Sequence, residues 1–276
     1  MNLAGVAMPF LIYGTAWKKD KTADFVVKAV KLGFRGIDTA CQPKHYNEAG
    51  VGEAILRLMK EGITRKDLYI QTKFTPLNGQ DPLNIPYDRN ASLSEQVDQS
   101  FEVSKKNLGV TYLDGLLLHS PLENMDRTLI AWQAMEQIYS QGGTKLIGIS
   151  NCYDLDMLKQ LFDASLIKPT VLQNRFYKDT DYDNEIRKWC LEHKIIYQSF
   201  WTLTANPQIL SSDSLQKAAH KYQKTPEQIL FKVLIDIGIV PLTGTSSEKH
   251  MQEDLEIFNF DLPKSVSQEI TALFSS

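Results

Sequence analysis

Gly36-Ile37-Asp38-Thr39-Ala40-Cys41-Gln42-Pro43-Lys44-His45-Tyr46-Asn47-Glu48 joins an apolar strand pattern to a helical one. The strand ends on an acid. Aspartate suits a strand interior poorly, so this placement marks either a local hydrogen bond or a site. Upstream, Phe25, Val26, Ala29, Val30 and Leu32 recur at helical spacing between Thr22 and Leu32, and Gly33 is a natural C-terminal stop. Downstream, a second helix is expected near Val51 to Lys60. Strand, loop and helix form the unit that the rest of the chain repeats.

Strands are expected at Phe10 to Tyr13, closed by Gly14-Thr15, then at Arg35 to Ala40, Leu68 to Phe74 and Leu113 to His119. Four more follow at Lys145 to Ser150, Thr170 to Asn174, Ile195 to Phe200 and Ile239 to Thr243. Helical patterns separate them: Ser94 to Leu108, Arg127 to Ser140, Leu155 to Ala164, Asn184 to His193, Ser214 to Tyr222 and Pro226 to Ile235. A last helix is expected from about Glu248 to Phe258. Such alternation points to an α/β fold with a closed parallel (β/α)8 TIM barrel. A doubly wound open sheet ranks second, because no Gly-x-Gly-x-x-Gly follows the first strand. An N-terminal hairpin is expected around Gly5 to Pro9. No linker or short-period repeat interrupts the chain, so residues 1–276 read as a single domain. The longest irregular stretch, Pro76 to Ala91, has the length of a functional or mobile loop.

The formal charge is −3 over 276 residues, with acids and bases mixed and no basic block. Nucleic acid and anionic membranes are therefore not expected partners. No apolar run approaches the roughly 20 residues of a membrane span. Cys41, Cys152 and Cys190 lie far apart, without a Cys-x-x-Cys motif, which fits a reducing, cytoplasmic setting. No metal is expected.

In a barrel of this kind the reacting groups gather at the C-terminal ends of the strands. Asp38, Lys73 and His119 end consecutive strands; Ser150-Asn151, Gln173-Asn174 and Phe200-Trp201 end later ones. Taken singly, Asp38 reads as a cap, Lys73 as a solvated strand-end lysine and His119 as a core histidine bonded to a carbonyl. Together they face one space.

These features resemble the aldo-keto reductase family: Asp38-Thr39-Ala40 with Asn47-Glu48 and Val51-Gly52, Thr72-Lys73, Leu117-Leu118-His119 with Pro121, and Gly148-Ile149-Ser150-Asn151. Gln173 and Phe258-Asn259-Phe260-Asp261-Leu262 extend the resemblance over nearly the whole chain. The resemblance implies carbonyl reduction with a nicotinamide cofactor and a catalytic tetrad of Asp, Tyr, Lys and His. Asp38, Lys73 and His119 fill three of those places. The family tyrosine stands five residues after the aspartate, but Pro43 is found there, because the loop is two residues longer. Tyr46 is the candidate for the acid and His45 its competitor.

The chemistry requires such a group. Hydride transfer to a carbonyl builds negative charge on oxygen, so a proton donor and a positive field must meet that oxygen. Lys73 is expected to lower the pKa of the tyrosine, with Asp38 holding the lysine. Neutral His119 can donate a hydrogen bond to the carbonyl oxygen.

For the cofactor, the resemblance implies Ser150, Asn151 and Gln173 around the nicotinamide carboxamide, with Phe200 stacked on the ring where tyrosine is common. Thr243-Gly244-Thr245-Ser246-Ser247, ahead of a helix, reads as an anion cradle, although Ser and Thr in such places are also ordinary caps. Relatives bind the 2′-phosphate with a Lys-Ser pair and a later arginine. Here Lys249 and His250 are the available cations, so NADPH is favoured and NADH stays open. Ser120 stands where relatives often carry tryptophan, and Trp17 falls one residue late. The loops are short. Trp17, His45, Ser120 and Trp201 are expected around an open substrate pocket, with Tyr13 and Tyr87 as further aromatic walls. The expected partner is a small aldehyde or ketone, reduced broadly and with modest affinity, by a monomer or weak homo-oligomer.

Two rival readings remain at this level. Lys73 could form a Schiff base in an aldolase-type barrel, though Asp38 would favour its charged form. Alternatively, the displaced tyrosine marks a cofactor-binding regulatory or sensor protein with weak activity.

Overall fold

In a computed structural model, which describes residues 2, 3 and 5–275, the expected barrel is closed and parallel. A short antiparallel hairpin precedes it, β1 (Asn2–Leu3) and β2 (Val6–Ala7). The barrel strands are β3 (Ile12–Gly14), β4 (Gly36–Asp38), β5 (Tyr69–Phe74), β6 (Gly115–Leu118), β7 (Ile147–Ser150), β8 (Val171–Arg175), β9 (Ile196–Phe200) and β10 (Val240–Thr243). Each pairs in parallel with its successor, and β10 closes on β3.

Outside run α1 (Thr22–Leu32), α2 (Glu48–Lys60), α3 (Leu93–Leu108), α4 (Met125–Ser140), α5 (Leu155–Ala164) and α6 (Asn184–Glu192). They are followed by α7 (Pro207–Leu210), α8 (Asp213–Tyr222), α9 (Pro226–Asp236), α10 (Glu248–Glu256) and α11 (Lys264–Thr271). The last of these was not expected from the sequence. It packs on α8 and α9, burying Ile270, while Phe274 beyond it meets Phe176 edge-on with ring centres 5.2 Å apart. The helix expected to reach Phe258 stops at Glu256 and tightens into a 3₁₀ turn over Ile257–Asn259.

Two apolar shells share the strands. Ile37, Ile70, Phe74, Leu116, Leu118, Ile149 and Leu172 point out toward the helices. Ile12, Tyr69, Leu117, Val171, Ile196 and Val240 point in, and Val6 and Met8 join them from the N-terminal segment. Because both faces are covered, β5 is buried at every residue, and its period of two is hidden. Close approach fixes two glycines. A Cβ at Gly148 would stand 2.4 Å from the Val171 carbonyl oxygen, and one at Gly52 would stand 2.0 Å from that of Asn107, where α2 meets α3. Among the described residues, no helix is long and apolar enough to cross a membrane.

Candidate active site

The stretch after β4 keeps pairing beyond the strand: Thr39 donates to the Gln71 carbonyl and Cys41 to that of Lys73. It then turns. The Gln42 carbonyl accepts from the amides of both His45 and Tyr46, at 3.1 and 3.0 Å, so the two additional residues are taken up in one tight turn. Asn47 closes it by capping α2, its side chain accepting from Gly50 at 2.9 Å and donating to the Lys19 carbonyl at 3.0 Å. This cap starts α2 at Glu48, three residues before the helix expected from periodicity. The Glu48 carboxylate is buried and accepts from Thr72 at 2.6 Å and Ser104 at 2.9 Å, which ties the end of the loop to β5 and α3.

Inward-facing residues of β4, β5, β8 and β9 form a polar plug. Lys73 Nζ donates to Asp38 Oδ1 and Oδ2 at 2.7 and 2.6 Å and to the Thr39 carbonyl at 2.9 Å. All three ammonium protons are engaged, which leaves no free amine for a Schiff base. Asp38 Oδ1 also accepts from Gln71 at 2.8 Å and Gln173 at 3.0 Å, and both amides reach Gln198 Oε1 at 2.9 Å. Burial draws the Lys73 pKa down, and the Asp38 carboxylate acts against it.

Above the plug, Tyr46 and His45 separate. The Tyr46 ring centre lies 5.3 Å from Lys73 Nζ and 6.0 Å from the His119 ring. His45 also lines the cavity but packs 3.9 Å from Trp17, whose amide donates to the His45 carbonyl at 2.7 Å. The expected lowering of the tyrosine pKa is not what this arrangement produces: burial first, and Asp38 second, raise it. The phenol therefore holds its proton throughout the neutral range. His119 shares a 2.6 Å hydrogen bond between Nδ1 and the Thr75 hydroxyl. Burial, Lys73 and His45 lower its pKa to about 3, so the ring is neutral.

These groups floor a cavity of ≈ 870 Å³, lined also by Ser150, Asn151, Gln173, Phe200 and Trp201. The size suits a ligand larger than a simple aldehyde. Ser150 donates to the Gln173 carbonyl at 2.7 Å, and Asn151 donates to that of His119 at 2.8 Å. Asn151, Trp17 and Trp201 hold left-handed backbone angles, φ 54°, 65° and 55°. Non-glycine residues adopt this region at a cost, and such residues concentrate at functional sites.

Of the expected anion cradle, Thr243, Gly244 and Thr245 line the cavity. The Thr243 hydroxyl, however, donates to the buried Asp254 at 2.7 Å. Ser246, Lys249 and His250 do not line the cavity; Lys249 is exposed, 3.6 Å from Glu253, and Ser247 is the helix cap, accepting from the His250 amide. Nor does Ser120 line it. Two expected walls are corrected. Tyr87 is buried against Phe74, its hydroxyl donating to the Thr75 carbonyl at 2.8 Å, and Tyr13 is buried with its hydroxyl on the Thr245 carbonyl at 2.9 Å. Neither side chain had to reach the cavity, because each hydroxyl finds a backbone partner nearby.

Two lining cations were missed. Lys18 donates to the Gly244 carbonyl, and Arg175 faces the cavity from the end of β8. Stepping by two from Gln173, a residue already expected to face inward, reaches Arg175.

A family model described as the aldo/keto reductase family matches residues 7–274. The chain belongs to the aldo/keto reductase family. An uncharacterized oxidoreductase of Bacillus subtilis (strain 168) is 32% identical over 273 residues, 98% of this chain and 90% of that protein. A methylglyoxal reductase of Yersinia pestis is 29% identical over 272 residues, again 98% and 90% of the two chains. The crystal structure of an aldo/keto reductase from Brucella melitensis matches with a TM-score of 0.80 at 28% identity, covering 98% of this chain and 96% of that one. Aldo/keto reductases in general use nicotinamide cofactors.

Proposed function

We propose that this aldo/keto reductase reduces small aldehydes and ketones to alcohols, with Tyr46 as the general acid and NADPH as the favoured cofactor. The observation that carries the reading is the Tyr46 ring standing beside Lys73 and His119 while His45 packs on Trp17.

The residues present fit a nicotinamide dinucleotide. Ser150, Asn151 and the Gln173 side-chain oxygen match a carboxamide, Phe200 offers a flat face, and Gly244 beside Lys18 leaves an open, positively charged wall for phosphates. A reduced nicotinamide supplies the hydride when bound. The protein's own part begins with His119. Assigning Thr75 as the donor to Nδ1 puts the proton of the neutral ring on Nε2, where it can orient a carbonyl oxygen. Tyr46 gives its proton to that oxygen as negative charge grows there. The phenolate left behind faces Lys73, whose charge Asp38 holds in place, so the strong acid–base mismatch of a buried phenol is reduced only as the reaction proceeds. Because Tyr46 lines the cavity, its proton is to be restored from solvent on that side.

The small carbonyl substrate is supported by the methylglyoxal reductase among the relatives, and a cavity of this size holds it together with a cofactor. With Lys249 and His250 outside the cavity wall, NADH is expected to bind within about tenfold of NADPH, a difference of roughly 1.4 kcal/mol. The test is steady-state oxidation of NADPH with methylglyoxal. Turnover by the wild type should fall by about 10²–10⁴-fold in Tyr46→Phe and persist in His45→Ala. Persistence in Tyr46→Phe with loss in His45→Ala would move the acid role to His45, and absence of wild-type turnover would favour the sensor reading.

A further inference from the structure

Arg175 sits at the cavity end of β8, one inward step beyond Gln173 and in register with Phe200 on β9. Its guanidinium carbon lies 4.3 Å from the centre of the Trp201 ring and 5.1 Å from that of Tyr177. The planar cation is thus held against two rings. None of its side-chain donors has a protein partner among the described residues, and Nε is buried without one. Arg65 offers the contrast. Its Nε is also unpartnered, but its other nitrogens reach Asp114 at 2.7 Å and the carbonyls of Leu68 and Tyr112. Aromatic faces offset part of the cost of shielding a cation, and they leave its edge free for a planar anion.

Position selects which anion. The strand order β8-β9-β10-β3 puts Phe200 between Arg175 and the wall of Gly244 and Lys18. On the proposed reading, cofactor phosphates take the Lys18 side, and Arg175 faces the space left for the carbonyl compound. One strand, β7, separates β6, which ends before His119, from β8. Two strand spacings amount to about 10 Å.

We propose that Arg175 is a carboxylate-binding residue and that the preferred carbonyl compounds are oxo acids whose carboxylate lies several bonds from the reacting carbonyl. Guanidinium and carboxylate match in plane and spacing, so two parallel N–H···O bonds form, with the rings of Trp201 and Tyr177 keeping the fork oriented.

The test compares kcat/KM for 4-carboxybenzaldehyde and its uncharged methyl ester in the wild type, Arg175→Leu and Arg175→Lys, with NADPH affinity measured alongside. The acid-to-ester ratio should fall about tenfold or more in Arg175→Leu and partly recover in Arg175→Lys, which keeps the charge without the fork. An unchanged ratio overturns the proposal. An unchanged ratio with weakened NADPH binding overturns it in favour of a cofactor phosphate on Arg175. Binding of 4-methylbenzoate, read as the fluorescence difference between wild type and Trp201→Phe, requires no turnover. Saturable binding that Arg175→Leu abolishes supports the site even if no aldehyde is reduced, and its absence from the wild type overturns it.

Discussion

The floor and the rim of the cavity are both polar, yet they are built oppositely. In the floor, Asp38, Gln71, Lys73, Gln173 and Gln198 are almost wholly buried and give their hydrogen bonds to one another. On the rim, Trp17 and Trp201 are half exposed, and buried nitrogens of His45 and Arg175 lack protein partners. A satisfied network in a shielded place is rigid and aims a fixed field, whereas groups with unused donors can answer to a ligand. On the proposed reading, chemistry falls to the floor and selectivity to the rim.

The comparison breaks most visibly at Lys73. Lys73→Met leaves the Asp38 carboxylate buried without its cation and should destabilise the fold by about 3–5 kcal/mol in urea unfolding. Adding Asp38→Asn should restore much of that loss. If the single variant unfolds like the wild type, the floor is not a coupled network.

A smaller effect separates the neutral histidine from the rest by pH. His119 has a folded pKa of about 3 against 6.5 for the ordinary imidazole, so on acidification the unfolded chain takes the proton first. Its contribution is therefore complete above pH 6.5 and is lost as pH falls toward 3, on the order of 1–3 kcal/mol after allowance for solvent screening at the cavity. Asp254 runs the other way. Burial raises its pKa to about 6 from 3.8, so its contribution is complete below 3.8 and lost as pH rises through 6. Urea unfolding from pH 4 to 8 should show a shallower acid-side decline in His119→Asn and a smaller loss of stability toward pH 6 and above in Asp254→Asn.

Smallest is the expected effect on the rim. Lys18→Met should weaken NADPH binding by roughly tenfold, about 1.4 kcal/mol, and reduce its dependence on salt. Equal loss of fold stability would mean that Lys18 belongs with the floor.

Much of this was legible in the sequence, for reasons that differ by element. The helix Thr22–Leu32 coincides with its expected limits because its apolar stripe and Gly33 both mark them. Asp38, Lys73 and His119 were readable as polar residues closing apolar strands. The floor was not readable as a network, since Gln71 meets Gln173 and Gln198 only through barrel closure and strand register. Tyr87 and Tyr13 were misplaced because sequence position says nothing of which backbone carbonyl a phenol finds. Arg175 went unnoticed because the strand was expected to end at Asn174, one residue short. The helix Lys264–Thr271 was passed over because Val266 and Ile270 form only a short apolar repeat after Pro263.

The most direct measurement is the pH dependence of kcat/KM for carbonyl reduction, in the wild type and in His45→Ala. With the Tyr46 pKa raised and His119 neutral above about 3, a plateau from about pH 5 to 9 is expected in both proteins. A fall in wild-type activity as pH rises through the region below the ordinary imidazole value, where burial and Lys44 put His45, and absent from His45→Ala, would contradict this, because the proton would then come from His45.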